Sequence, residues 1–458
     1  MLNVTITPHR EFLPADSPEQ KLFIMLKLRP TQEVSSSRPP TTFAFVIDTS
    51  GSMYEIVVGQ FERTGNKYTQ DGKEYEQVKG GQSKIDIVIQ SLLRLVGSGK
   101  LNENDRIALV QFADKASTLI GLTPATQVNQ LEAAIAKLHD FSGGTNMGLG
   151  MNQALKVLSG QNMSSRRALI FTDGETFDEE ECRELAEQFG KNNISITALG
   201  VGDYKEDLLL YLSDATAGRC YHVDPENPNA VSIENLPDVI LKEYGRAQQE
   251  VITNLALTVK TVKGVTLSRI MRAYPEQAEF SLNQEPYPMG NIEANDETVF
   301  ILEFNVESRP ATRARIAQLG LTYDVPGQNR RGELQPQNLI VEFVSGQGGA
   351  AQVDQEVMDY VQQCNIVQLV NQATRLAEQD PQRSEELLET ARRMTVRIGN
   401  DELAASLNGA QEELRKTRKI SAGTRKTVKM GAKGKTVKMS GDINEEFSEE
   451  QIRKISGT

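Results

Sequence analysis

Between residues 42 and 246, five short apolar runs alternate with five segments of helical period. The runs are 43–48, 106–112, 167–172, 194–200 and 219–223; the helical segments are 83–96, 128–138, 147–158, 178–192 and 229–244. Strands that are apolar along their whole length, and separated by helices, bury both faces in a parallel sheet covered on each side. This stretch is therefore expected to fold as a doubly wound, mostly parallel, Rossmann-like α/β sheet.

The flanking segments have other periods. In residues 1–41, Leu2, Val4 and Ile6 alternate with polar residues, as do Leu22, Ile24, Leu26 and Leu28. So short a segment cannot bury a core alone and needs partner strands elsewhere. Residues 247–348 show the same period of two at Leu255, Leu257 and Val259 and at Phe300, Leu302, Phe304 and Val306, punctuated by Pro and Gly turns. An antiparallel β-sandwich is expected there, completed by the strands of 1–41, with the α/β domain of 42–246 inserted between. Residues 349–417 turn to helical spacing. Ile366, Leu369, Val370, Ala373 and Leu376 mark one helix, and Asp380-Pro381 opens a second as N-cap and first helical residue. Leu403, Leu407 and Leu414 mark a third. Residues 418–458 lose periodicity and are expected to be a disordered basic tail.

Composition narrows the function classes. A chain of 458 residues exceeds what one core can organise. No run approaches the about twenty apolar residues that span a bilayer, and the N-terminus lacks a secretory pattern. Cys182, Cys220 and Cys364 lie far apart, which argues against a disulfide framework or a zinc site and points to a reducing cytoplasm. His9, His139 and His222 accompany no nucleophile motif and read as surface or loop residues. The net charge is −12, yet ten Lys and Arg and no Asp or Glu fall between Leu414 and Gly441. An acidic body thus carries a basic interaction segment.

The chemistry concentrates at three loops. The first run ends in Asp48-Thr49-Ser50-Gly51-Ser52, one carboxylate and two hydroxyls on a tight turn. Ligands of open α/β sheets bind beyond the carboxyl ends of the strands, where this loop lies. A loop before a helix supplies the hydroxyl of Thr145, and a later strand end supplies the carboxylate of Asp173. Magnesium prefers such small, hard oxygen ligands.

These three motifs make residues 42–246 closely resemble the von Willebrand factor A (vWA) family. Asp48, Ser50 and Ser52 match its D-x-S-x-S signature, Thr145 its threonine, and Asp173 its distal aspartate in an F-T-D-G-E context. The resemblance implies a metal-ion-dependent adhesion site (MIDAS) with an open coordination position for an Asp or Glu of a protein partner. Magnesium is the default cofactor; Ca2+ or Mn2+ also suits oxygen ligands. Residues 54–82 depart from simpler family members, in which the helix follows sooner. That insertion is either a specificity element or a tolerated surface loop.

The basic tail repeats Lys-Thr-Val-Lys-Met at 426–430 and 435–439. Thr427, Thr436 and Thr424 are candidate phosphorylation sites. The tail resembles those of bacterial vWA proteins that accompany a Ser/Thr kinase, a PP2C-type phosphatase and a forkhead-associated-domain protein. This implies a phosphorylation-regulated scaffold for signalling. Charge-driven binding of nucleic acid or acidic membranes, and an intramolecular clamp, remain open. The lack of interleaved aromatics disfavours nucleic acid. An alternative role is an adaptor of a MoxR-type AAA+ ATPase. With no nearby His and no second carboxylate cluster, the site is not expected to be that of an enzyme.

Overall fold

The computed structural model describes the whole chain except residues 71–72, 162, 203, 225–230, 346–352 and 440–458. It forms two compact units: Ser37–Thr253 with Pro326–Asn329, and Met1–Ser36 with Asn254–Val325 and Arg330–Thr458. In chain order the first is thus inserted into the second.

The inserted unit is built on a six-stranded sheet in the order Ala116–Pro124, Arg106–Phe112, Thr41–Asp48, Ser165–Thr172, Ser195–Val201 and Arg219–Val223. The first pair is antiparallel and the other pairs are parallel. Thr41–Asp48, Ser165–Thr172 and Ser195–Val201 are buried at every position, which is why their sequences are continuous rather than alternating. From the central strand Thr41–Asp48 the chain winds first to one side and later to the other. That reversal makes the carboxyl ends of Thr41–Asp48 and Ser165–Thr172 the topological switch point, where such sheets open a crevice.

Several details differ from the sequence-based expectation. Ala116–Pro124 escapes periodicity because it is a half-buried edge strand with irregular register. Glu206–Ala215 is a short additional helix. The last helix runs over Leu236–Ala247, with Pro237 in its first turn, and part of the expected 229–244 span falls outside the described residues. His9 and His222 are buried, not surface residues: each ring hydrogen-bonds, His9 Nδ1 from the Phe23 N–H at 3.2 Å and His222 Nδ1 with the Tyr204 hydroxyl at 2.9 Å.

At the amino ends of the central strands, the Arg167 guanidinium is 2% exposed. It donates to Glu243 at 2.7 Å and to Glu250, and Thr197 donates to the same Glu243 oxygen at 2.9 Å. Burial acts to raise the Glu243 carboxyl, but Arg219, Arg167 and Arg246 overcome it and hold the group down to about 2.

The other unit has two five-stranded sheets. One runs Leu2–Pro8, Gln20–Pro30, Thr298–Val306, Val265–Tyr274, Ala278–Phe280, antiparallel throughout. The other runs Tyr287–Glu293, Glu250–Thr261, Thr312–Val325, Arg330–Val344, Phe12–Pro14. The N-terminal strands therefore do find partners beyond residue 250. Phe23, Met25, Met271 and Ile301 of the first sheet share a core with Val357, Tyr360, Val361 and Cys364 of the helix Gln355–Leu376. Among the described residues no helix is long and apolar enough to cross a membrane.

The tail needs correction. Helices Pro381–Arg397 and Asp401–Thr417 are followed by a fourth, Ala422–Gly434. Its start is capped by Ser421, whose hydroxyl accepts from the Thr424 N–H. Residues 435–439 then run extended. The Val437 N–H donates to Gln363 Oε1 at 2.8 Å and the Met439 N–H to the Tyr360 hydroxyl at 3.1 Å. Val428, Ala432 and Met439 join the helical core. Gly423, Gly431 and Gly434 lower helix propensity, and only Val428 and Ala432 carry the 3.6 period, so the segment reads as unstructured. The expected disorder of 440–458 lies outside the described residues.

The Arg167 network is open to mutation. Glu243→Gln leaves Arg167 buried with one carboxylate and is expected to cost about 3 kcal/mol at pH 7 in urea unfolding of the α/β unit. Glu243 lies below its ordinary value of 4.5 when folded. Its contribution is therefore full above pH 4.5 and lost as pH falls towards 2. The gap between wild type and variant should narrow over that window; a constant gap would exclude the charged form as its source.

Candidate metal centre at the carboxyl ends of the sheet

Parallel pairing sets Ile47 beside Phe171, so Asp48 and Asp173 leave neighbouring strands at the same edge. Asp48 is fully buried. Its Oδ1 accepts from the Ser50 N–H at 2.8 Å and its Oδ2 from the Thr172 hydroxyl at 2.7 Å. The first bond folds the loop back on its own aspartate, a short Asx-type turn that presents Ser50 and Ser52 on one side. Ser50 Oγ lies 3.2 Å from Ser52 Oγ, and Ser52 donates to Asp173 Oδ1 at 2.7 Å. Asp173 Oδ2 accepts from Lys84 Nζ at 2.8 Å.

Thr145 arrives on the loop 141–146. The Gly51 N–H donates to the Gly143 carbonyl at 3.0 Å, tying this loop to the first. Gly143 has φ +151°, and a Cβ there would meet Asp114 Oδ2 at 2.4 Å. One at Gly144 would stand 2.7 Å from Asp114 Oδ1, the atom that accepts the Gly144 N–H. The paired glycines thus let Asp114 hold the loop from beneath. Thr145 Oγ1 and Ser52 Oγ lie 3.9 and 4.0 Å from the point where a Cβ on Gly174 would stand. The Thr145 carbonyl accepts from the Phe177 N–H at 3.0 Å and from the Thr176 hydroxyl at 3.1 Å.

All five sequence-selected residues therefore belong to one cluster. Adjacent corners of a magnesium octahedron are separated by about 2.9 Å when ligands stand at 2.0–2.1 Å. The Ser50–Ser52 and Ser52–Asp173 oxygen spacings fall on either side of that value. Among the described residues no group of three or more His, Cys, Asp or Glu gathers as a metal site, so this two-carboxylate, three-hydroxyl set depends on hydroxyl ligands. Burial, then the neighbouring Asp173 charge, pushes the Asp48 carboxyl up to about 7. Burial opposes the charge on Lys84, but Asp173 and then Glu55 raise it overall.

Sequence reasoning missed Lys84, Thr172, Asp114 and Phe177. Thr172 lies inside the F-T-D-G-E motif of Asp173 and Phe177 two residues beyond it, but Lys84 and Asp114 reach the site only through tertiary contacts. The insertion 54–82 connects directly to the cluster. Ile56–Val58 pairs with Gln82–Ser83, and Glu62–Gln70 with Lys73–Lys79 as an antiparallel ribbon, whose residues 71–72 lie outside the described set. Its two roots meet where the Lys84 N–H donates to the Glu55 carbonyl at 3.2 Å.

Residues 43–235 match the family model of the von Willebrand factor type A domain. The α/β unit is similar to a vWA domain over these residues. Residues 355–438 match a second model, the Sll0103-like C-terminal alpha-helical domain, which includes the helix Ala422–Gly434 and ends within the extended segment after it. A von Willebrand factor type A protein from Catenulispora acidiphila is similar in structure, with TM-score 0.74 over 95% of this chain and 97% of that one at 16% identity. The ArnB paralog VWA2 from Sulfolobus acidocaldarius gives 0.58 over 96% and 100% at 14% identity. At these identities the likeness is one of fold. Among curated proteins, the uncharacterized protein YfbK of Escherichia coli K12 is 23% identical over 222 residues, 47% of this chain and 34% of its own length. An uncharacterized protein of Borreliella burgdorferi is 28% identical over 105 residues, 23% of this chain and 31% of its length. The chain thus spans about a third of each curated relative.

The ion pair inside the α/β unit can be probed without any ligand. Lys84→Met strips the buried Asp48–Asp173 pair of its fixed cation and is expected to destabilise the unit by about 3 kcal/mol in urea unfolding. A change under about 0.5 kcal/mol would place the pair in the class of solvent-screened surface bridges.

Proposed function

We propose that this vWA-like unit binds one divalent cation, magnesium by default, through Asp48, Ser50, Ser52, Thr145 and Asp173, and so captures a carboxylate from a protein partner. The observation that carries the reading is the gathering of the Ser50 and Asp173 oxygens 3.2 and 2.7 Å from Ser52 Oγ, beside the buried Asp48. Two buried carboxylates repel each other, and a divalent cation relieves that repulsion. When bound, the cation supplies an open coordination position for the partner's oxygen. Ca2+ and Mn2+ suit the same oxygens.

The chain's own residues act as positioners. Thr172 and the Ser50 N–H hold both oxygens of Asp48, while Lys84 holds the outer oxygen of Asp173 and leaves Oδ1 facing Ser52. With every carboxylate oxygen so engaged, neither aspartate is a free general base, which favours a binding role over a hydrolytic one. We place this scaffold in the cytoplasm, on the wide separation of Cys182, Cys220 and Cys364 in the sequence.

Regulation by the tail narrows to one residue class. Thr427 is helical and buried, its hydroxyl donating to the Gly423 carbonyl at 2.9 Å. Thr436 lies in the extended segment, half-buried, with its hydroxyl on the Pro275 carbonyl. A Ser/Thr kinase acting here would modify Thr436 before Thr427, with Thr424 the helix-start alternative. A phosphate on Thr436 would break the Pro275 contact and free the segment for a forkhead-associated-domain reader, with a PP2C-type phosphatase as the reverse step.

Two measurements test these readings. Calorimetric titration with Mg2+ should show one site in the wild type, weakened about tenfold or more by Asp173→Ala or Ser52→Ala. Absence of heat with Mg2+, Ca2+ and Mn2+ alike would rule the metal site out. Treatment with a basophilic Ser/Thr kinase, followed by mass spectrometry, should place phosphate on Thr436 well ahead of Thr427. Preferential modification of Thr427 would show that the helix Ala422–Gly434 opens more readily than the extended segment.

A further inference from the structure

Phe177 is the most exposed large apolar side chain among the described residues, at 76%. It is nonetheless held in place. Its N–H donates to the carbonyl of Thr145 at 3.0 Å, and its ring edge lies 3.0 Å from where a Cβ on Gly144 would stand. An aromatic ring is thus fixed on the very loop that carries one of the candidate metal oxygens, and turned to solvent. Such a ring costs little entropy to use in binding, because its backbone is already ordered. Aromatic anchors of this kind dominate binding energy at protein interfaces.

The rim around it is acidic. Glu175, Glu180 and Glu181 are exposed and form no ion pair among the described residues. Asp114 is exposed under the glycine loop. The nearby cations Arg183 and Lys205 are both taken up by Glu179, at 2.8 and 2.9 Å. A bare anion approaching the metal face meets this negative field within a Debye length of about 8–10 Å. A carboxylate flanked by Lys or Arg does not, since its neighbours are drawn to the rim that repels it.

We propose that the metal face selects a protein segment in which one Asp or Glu is flanked by Lys or Arg and accompanied by an apolar side chain that packs on Phe177. The inference rests on the metal-site reading and adds to it the identity of the recognised sequence. The metal would take the carboxylate, Glu175, Glu180 and Glu181 would take the basic flanks, and Phe177 would take the apolar residue. Binding should therefore weaken with rising salt, because the flanking contacts are solvent-exposed.

The test uses the full chain loaded with Mg2+ and a displayed library of random peptides carrying one fixed aspartate. The peptides selected should be rich in Lys or Arg within about three residues of that aspartate and carry one apolar residue. The consensus peptide should bind about tenfold more weakly to the F177A variant. The E175Q/E180Q/E181Q variant should lose both the preference for basic flanks and most of the salt dependence. Peptide binding to each variant is compared at saturating Mg2+, with metal occupancy checked by calorimetry. Acidic or neutral consensus flanks, failure to select any Mg2+-dependent peptide, or equal binding to F177A would overturn the inference while leaving an intact Mg2+ isotherm standing. Loss of the isotherm itself in the wild type would overturn the metal reading beneath it.

Discussion

The parallel pairing of Thr41–Asp48 with Ser165–Thr172 supports every other feature of the candidate site. Its register sets Ile47 beside Phe171, so the two strands release Asp48 and Asp173 side by side. A slip of one residue would carry Thr172 away from the Asp48 oxygen that its hydroxyl holds. The register is held by burial: both strands are covered over their whole length, leaving no polar face that could tolerate an alternative pairing. Hydroxyls and backbone N–H groups then orient each carboxylate oxygen. Hydrophobic packing thereby fixes the positions of two buried carboxylates.

The same strand manages opposite charge problems at its two ends. At its start, a buried guanidinium is matched by Glu243 and Glu250. At its end, two buried carboxylates are matched only in part, by Lys84 on one oxygen. Fully compensated charge favours a fixed structure, whereas partly compensated charge leaves room for a ligand. The burial-driven rise of Asp48 to about 7 belongs to the second kind, and the balanced Arg167 cluster to the first. This contrast separates a functional candidate from a structural network that is just as buried and just as charged.

The repeated pentapeptide shows how far environment overrides local sequence. Lys426–Met430 lies inside a helix, while the same five residues at 435–439 run extended along helix Gln355–Leu376. Helix capping by Ser421 and the packing of Val428 and Ala432 decide the first. Backbone donation to Gln363 and Tyr360 decides the second. Identical residues carry identical propensities, so the difference lies wholly in their contacts.

The sequence by itself determined the alternation of strands and helices in residues 42–246, because burial on both faces writes continuous apolar runs. It also determined Asp48, Ser50, Ser52, Thr145 and Asp173 as candidates, because each lies in a short loop at a strand or helix end. Capping was equally local, and Asp380-Pro381 does open a helix. Only the tertiary structure decided that Lys84 pairs with Asp173, that Asp114 supports Gly143 and Gly144, that Phe177 stands exposed beside Thr145, and that the basic segment folds. Those facts join residues distant in the chain, or depend on which face of a short segment meets a core. Local periodicity records how a side chain relates to its own element, whereas a contact between elements is set by how they pack.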